Sequence, residues 1–87
     1  MKIYTVSCWV QHKNKQIHED LEYFVDNNNP LVQQTIELTI ERMKNKCNAI
    51  GYYANHDWSV VLREHKILDN GKISPFRTRL KEINKEA

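Results

Sequence analysis

Ile3-Tyr4-Thr5-Val6-Ser7-Cys8-Trp9-Val10-Gln11-His12 is the stretch from which the fold can be read. Tyr4, Val6, Cys8 and Val10 fall on one side of an extended chain, and Ile3, Thr5, Ser7, Trp9 and Gln11 on the other. A period of two with β-branched and aromatic residues describes a strand with one buried face. Downstream, the polar run Lys13 to Gln16 makes a turn. Leu21, Tyr23 and Val25 then alternate with Glu22 and Phe24, so a second strand returns antiparallel as a hairpin.

Asp26-Asn27-Asn28-Asn29-Pro30 ends that strand and starts a helix. Asn29 can accept a bond from an orphan amide, and Pro30 has no N–H to leave unpaired in the first turn. The helix is expected to run to about Lys46. Val32, Ile36, Thr39, Ile40, Met43 and Cys47 form its core stripe, with Leu31, Thr35 and Leu38 as a second stripe beside it. Ala49–Ala54, with Ile50, Tyr52 and Tyr53, reads as a third strand. Asn55-His56-Asp57 turns it into a fourth, Trp58–Ile67. Asp69-Asn70-Gly71 is a turn signal. Ser74-Pro75 repeats the cap-then-proline pattern, which predicts a last helix over Pro75–Lys85 with Phe76, Leu80 and Ile83 inward.

The expected fold class is therefore α+β. It is a single-domain two-layer sandwich over residues 1–87, of order ββαββα, with two helices on one face of an antiparallel four-stranded sheet. The open sheet face would carry Ile3, Trp9, Phe24 and some of Tyr52, Tyr53, Trp58 and Val61. Large amphipathic side chains on such a face supply most of the energy of a protein interface. Trp9, Phe24, Tyr53 and Trp58 are thus candidate contact residues, with Leu31 and Leu38 as a second patch.

Composition excludes several functions. Gly51 and Gly71 are the only glycines, twenty residues apart, so no glycine-rich phosphate loop exists. Two cysteines cannot make a disulfide framework or a thiol-only zinc site. Cys8, His12, His18, Cys47, His56, Asp57 and His65 include metal-ligating types, but no pair has the short local spacing of a common zinc motif, and neither a metal nor another cofactor is expected. Around Gly71 an EF-hand loop would need carboxylates where Lys66, Leu68 and Arg77 stand. Cys8 and Cys47 fall on core faces, Cys47 at the helix end whose dipole disfavours a thiolate. His56-Asp57 is the one pair to weigh for catalysis, against the simpler role of turn residues.

The net charge of +2 conceals an imbalance. Residues 1–43 hold four basic and six acidic side chains, whereas residues 44–87 hold nine and five. In the expected last helix, Arg77, Lys81 and Lys85 fall at i, i+4 and i+8, with Lys72 just before. That stripe could follow a phosphate backbone. No apolar run reaches the roughly 18 residues of a membrane span, and the first residues lack the pattern of a signal peptide. The leading expectation is a small non-enzymatic interaction module, cytoplasmic, homodimeric or docked on a protein partner. Nine lysines and nine asparagines suggest an A/T-rich source such as a phage or a low-GC bacterium, and a phage-encoded chain would work in the host cytoplasm. Nucleic-acid binding through the basic flank is the alternative, and a small enzyme using His56 and Asp57 is the third reading.

Overall fold

The structure is a computed structural model. It describes residues 2–13, 15–26, 28–52 and 56–84, with backbone alone at 51 and 52. Among the described residues, four strands and one helix follow in the order β1 (Lys2–His12), β2 (Lys15–Asp26), α1 (Leu31–Tyr52), β3 (Asp57–Ile67) and β4 (Ile73–Asn84). Every pairing is antiparallel, and the sheet order is β2-β1-β3-β4. Helix α1 links β2 to β3, which run parallel with β1 between them. The fold remains α+β, but the order is ββαββ with one helix, and the expected ββαββα with two helices is corrected.

Asn29 starts α1 as its sequence requires. Its Oδ1 accepts from the Leu31 amide at 3.0 Å, and its carbonyl accepts from the Val32 amide at 3.0 Å. The helix does not stop at Lys46. Ile36, Ile40, Met43, Cys47 and Ile50 repeat at intervals of four and three, so the apolar stripe continues and the chain stays helical to Tyr52. The strand expected over Ala49–Ala54 is therefore absent from 49 to 52. Packing of Ile50 on the core outweighs the local β-propensity of that segment. Tyr53 and Ala54 lie outside the described residues.

The last helix is likewise replaced, by β4. Phe76, Leu80 and Ile83 fit a helical period, yet Arg77, Arg79 and Lys81 fit a period of two. The unpaired side of β3 selects the strand, because its amides and carbonyls need partners. Pro75 is tolerated because β4 is an edge strand and the ladder is irregular there: Ser74, Pro75 and Phe76 face only Lys66 between the pairs Ile67–Ile73 and His65–Arg77. Ser74 Oγ accepts from the Phe76 amide at 3.2 Å, a local turn contact inside the strand. The Asp69-Asn70-Gly71 turn forms as read, with Gly71 at φ 79° and its amide donating to the Leu68 carbonyl at 2.9 Å.

Irregularities also decide which face each side chain takes. Val10 pairs with His18 and Gln11 with Gln16, leaving Ile17 as an extra residue on β2. One extra residue reverses the strand's two faces. His18, Asp20, Glu22 and Phe24 consequently lie on the helix side, opposite Val10, Cys8, Val6 and Tyr4, while Leu21, Tyr23 and Val25 are exposed on the far side.

The core lies between the sheet and α1. Tyr4, Val6, Cys8, Val10, Trp58 and Val60 meet Ile36, Ile40, Met43 and Cys47 there, with Phe24, Val32, Ile50, Leu62 and Ile83 packed around them. Helix α1 rests mainly on β1 and β3, with a smaller contact on β2. Its flank is tied to β2 by an Arg42–Glu22 ion pair and by Lys46 Nζ donating to Asp20 Oδ2 at 2.9 Å. Among the described residues, no helix is long and apolar enough to cross a membrane.

Candidate nucleic-acid interface on the open sheet face

The sheet face away from α1 is built from alternate residues of all four strands, and its registers align them into rows. Tyr23 on β2 stands opposite Thr5 on β1, Thr5 opposite Arg63 on β3, and Arg63 opposite Arg79 on β4. The neighbouring row is Val25, Ile3, His65 and Arg77. Each row thus runs from an apolar or aromatic side chain on β2 to an arginine on β4.

Two guanidinium groups opposite each other are an unfavourable cross-strand pair. Arg63 is partly buried, with Nη1 donating to Ser7 Oγ at 2.9 Å. Burial lowers its pKa from the ordinary arginine value, and the Arg77 and Arg79 charges lower it further. Glu82 offsets part of this repulsion by accepting from Arg79 Nη1 at 2.9 Å. In the middle of the face, Thr5 Oγ1 and His65 Nε2 share a 3.0 Å hydrogen bond. Tyr23 is 63% exposed beside them. The row therefore offers arginine side chains and an exposed tyrosine, while Thr5 is buried between them with its hydroxyl bonded to His65.

Several sequence-assigned residues are elsewhere. Trp9 is on the open face, half-buried, as expected. Phe24 and Trp58, expected beside it, are packed into the core on the helix side, Trp58 only 6% exposed. The bulge at Ile17 accounts for Phe24. Trp58 lies opposite Val10, the inward residue of β1, which accounts for its burial. Tyr53 and Lys85 lie outside the described residues. Leu31 and Leu38 remain exposed on α1, Leu38 at 72%. Lys72 is exposed in the turn before β4.

Among the described residues, strand β4 replaces the expected basic helical stripe. Arg77 faces His65 on the open side, but Lys81 pairs with Leu62 on the helix side, because Leu80 is an extra residue that reverses β4 between Arg79 and Lys81. Arg63, Arg79 and Tyr23 are not among the sequence candidates, and His65 is weighed there only as a metal-ligating type. The signal for Arg63 was its alternation with Val60 and Leu62. The residues that join it depend on registers that the sequence does not display.

The His56 ring packs edge-on against His12 with centroids 4.6 Å apart, while Asp57 opens β3 opposite Gln11 and is exposed. On the other side of the sheet, Cys8, His18 and Asp20 each offer one metal-ligating atom, all within 4.8 Å of one another. Comparison with known proteins found no matching family model, no matching curated protein and no matching solved structure.

Proposed function

We propose that the chain is a non-enzymatic cytoplasmic protein that binds single-stranded nucleic acid across its open sheet face. The observation carrying this reading is the in-register row Tyr23, Thr5, Arg63 and Arg79, with two arginines directly opposed. Such a pair weakens the free sheet, and a phosphate placed between the guanidinium groups would reverse that cost. Tyr23 supplies a face for a base to stack on. Arg77 extends the cationic side by one row.

Fluorescence anisotropy of a labelled 12-nucleotide RNA and its DNA counterpart tests this. With about three phosphate contacts the affinity should fall roughly 15- to 20-fold between 50 and 200 mM salt. Arg77→Ala combined with Arg79→Ala should weaken binding at least tenfold. Absence of salt-dependent binding at 50 mM would overturn the proposal.

A second reading rests on a different observation. Leu21, Tyr23 and Val25 form an exposed apolar row on β2, whose outer edge is unpaired in the sheet. This is the surface a second copy of the chain would cover, giving a homodimer. Leu21→Ser with Val25→Ser should then convert a dimer to a monomer in light scattering, and a wild-type mass of one chain would exclude it.

A further inference from the structure

Two strands deliver metal-ligating side chains to one point beneath the helix. Cys8 on β1 is fully buried. Asp20 stands directly opposite Cys8 on β2, and His18 lies two residues earlier on the same face. His18 Nε2 is 3.3 Å from Asp20 Oδ2, and one donor atom from each of Cys8, His18 and Asp20 lies within 4.8 Å of the other two. The bulge at Ile17 makes this convergence possible, since without it His18 and Asp20 would face the open side.

We infer that Cys8, His18 and Asp20 form a binding site for a zinc-type divalent cation, with a solvent molecule completing a tetrahedron. A sulfur, an imidazole nitrogen and a carboxylate oxygen are a donor set suited to zinc. Metal–ligand bonds of about 2.0–2.3 Å put neighbouring ligand atoms about 3.3–3.8 Å apart in a tetrahedron. Side-chain adjustments of about an ångström therefore close the cluster. His18 and Asp20 are half-exposed at the rim of the core, which gives the ion a route from solvent, while Val10 and the helix wall off the sulfur side.

Binding is balanced by proton loss. The Cys8 thiol releases one proton as its sulfur becomes a ligand, so one divalent cation displaces one proton from that cysteine. Lys46 competes for the site, because its Nζ donates to Asp20 Oδ2 at 2.9 Å and must yield that oxygen or leave the other one to the metal. Removing this competitor, as in Lys46→Met, should tighten binding.

Cobalt(II) is the probe. Added to the reduced, metal-free chain under anaerobic conditions, it should produce thiolate charge-transfer absorption and the visible bands of tetrahedral cobalt at one equivalent, and zinc should bleach both. Zinc at about a hundred times its dissociation constant should raise the thermal midpoint by roughly 10 °C or more. His18→Gln and Asp20→Asn change half-exposed positions outside the apolar core and should keep the folded circular dichroism spectrum while binding cobalt at least tenfold more weakly. A folded wild-type chain with no charge-transfer band would overturn the inference. So would His18→Gln and Asp20→Asn chains that bind cobalt as the wild type does.

Discussion

Val10 pairs with His18 across the first hairpin, and Ile17 is left over between that pair and the next. This single offset organises both faces of the molecule. Val10 points into the core, so His18 and every second residue after it follow, while Leu21, Tyr23 and Val25 turn outward. Had Val10 paired with Ile17, the leucine, tyrosine and valine would have been core. The open face would have lost its aromatic end, and the cluster at Cys8 would have lost two of its members.

The helix stripe predicts a sharp contrast between neighbouring positions. Ile36→Ala removes a side chain that is 1% exposed and should cost about 2–5 kcal/mol of stability. Leu38→Ala, two residues on and 72% exposed, should change stability by less than about 0.5 kcal/mol. Urea denaturation of the two variants measures both; similar losses would contradict the placement of α1.

The buried thiols should be chemically silent. Burial pushes Cys47 up to about 12, with the neighbouring Cys8 thiol adding to the shift, and burial raises Cys8 as well. Only the thiolate reacts, so at pH 8 both groups are protonated in the metal-free folded chain. Iodoacetamide should label neither within minutes under native conditions and both in denaturant, as read by mass spectrometry. Rapid native labelling of Cys47 would show that it is not enclosed between α1 and β1.

The arginine pair predicts opposite effects on stability and binding. Arg79→Thr removes a charge that faces Arg63, and the ion pair lost with Glu82 is solvent-exposed and contributes little. Stability should stay within about 0.5 kcal/mol or rise, while affinity for single-stranded nucleic acid falls. A thermal melt and an anisotropy titration on one preparation measure both. A marked loss of stability would mean that Arg79 is structural.

Much of this architecture is written locally. The alternation of Tyr4, Val6, Cys8 and Val10, the Asn29 cap and the Gly71 turn each depend on a few adjacent residues, and all three appear as read. Errors came where two periods fit one segment. Ile50 to Tyr52 suits a strand by composition and a helix by the stripe it continues, and packing of Ile50 on the core selects the helix. Ser74-Pro75 resembles a helix start, and the free side of β3 made it a strand instead. The candidate sites were hardest to see, because both depend on strand register. Extra residues at Ile17 and Leu80 reverse faces without any glycine or other local signature to mark them, so Phe24, Lys81, His18 and Asp20 all change sides.

The central claim is that the open face binds nucleic acid. It is tested most directly by titrating the ¹⁵N-labelled chain with a 12-nucleotide single strand at 50 mM salt and following each amide by NMR. The account predicts that the largest shifts fall on Thr5, Tyr23, Arg63, Arg77 and Arg79, with the exposed flank of α1 around Glu37 and Glu41 unmoved. Shifts confined to α1, or none anywhere, would contradict it.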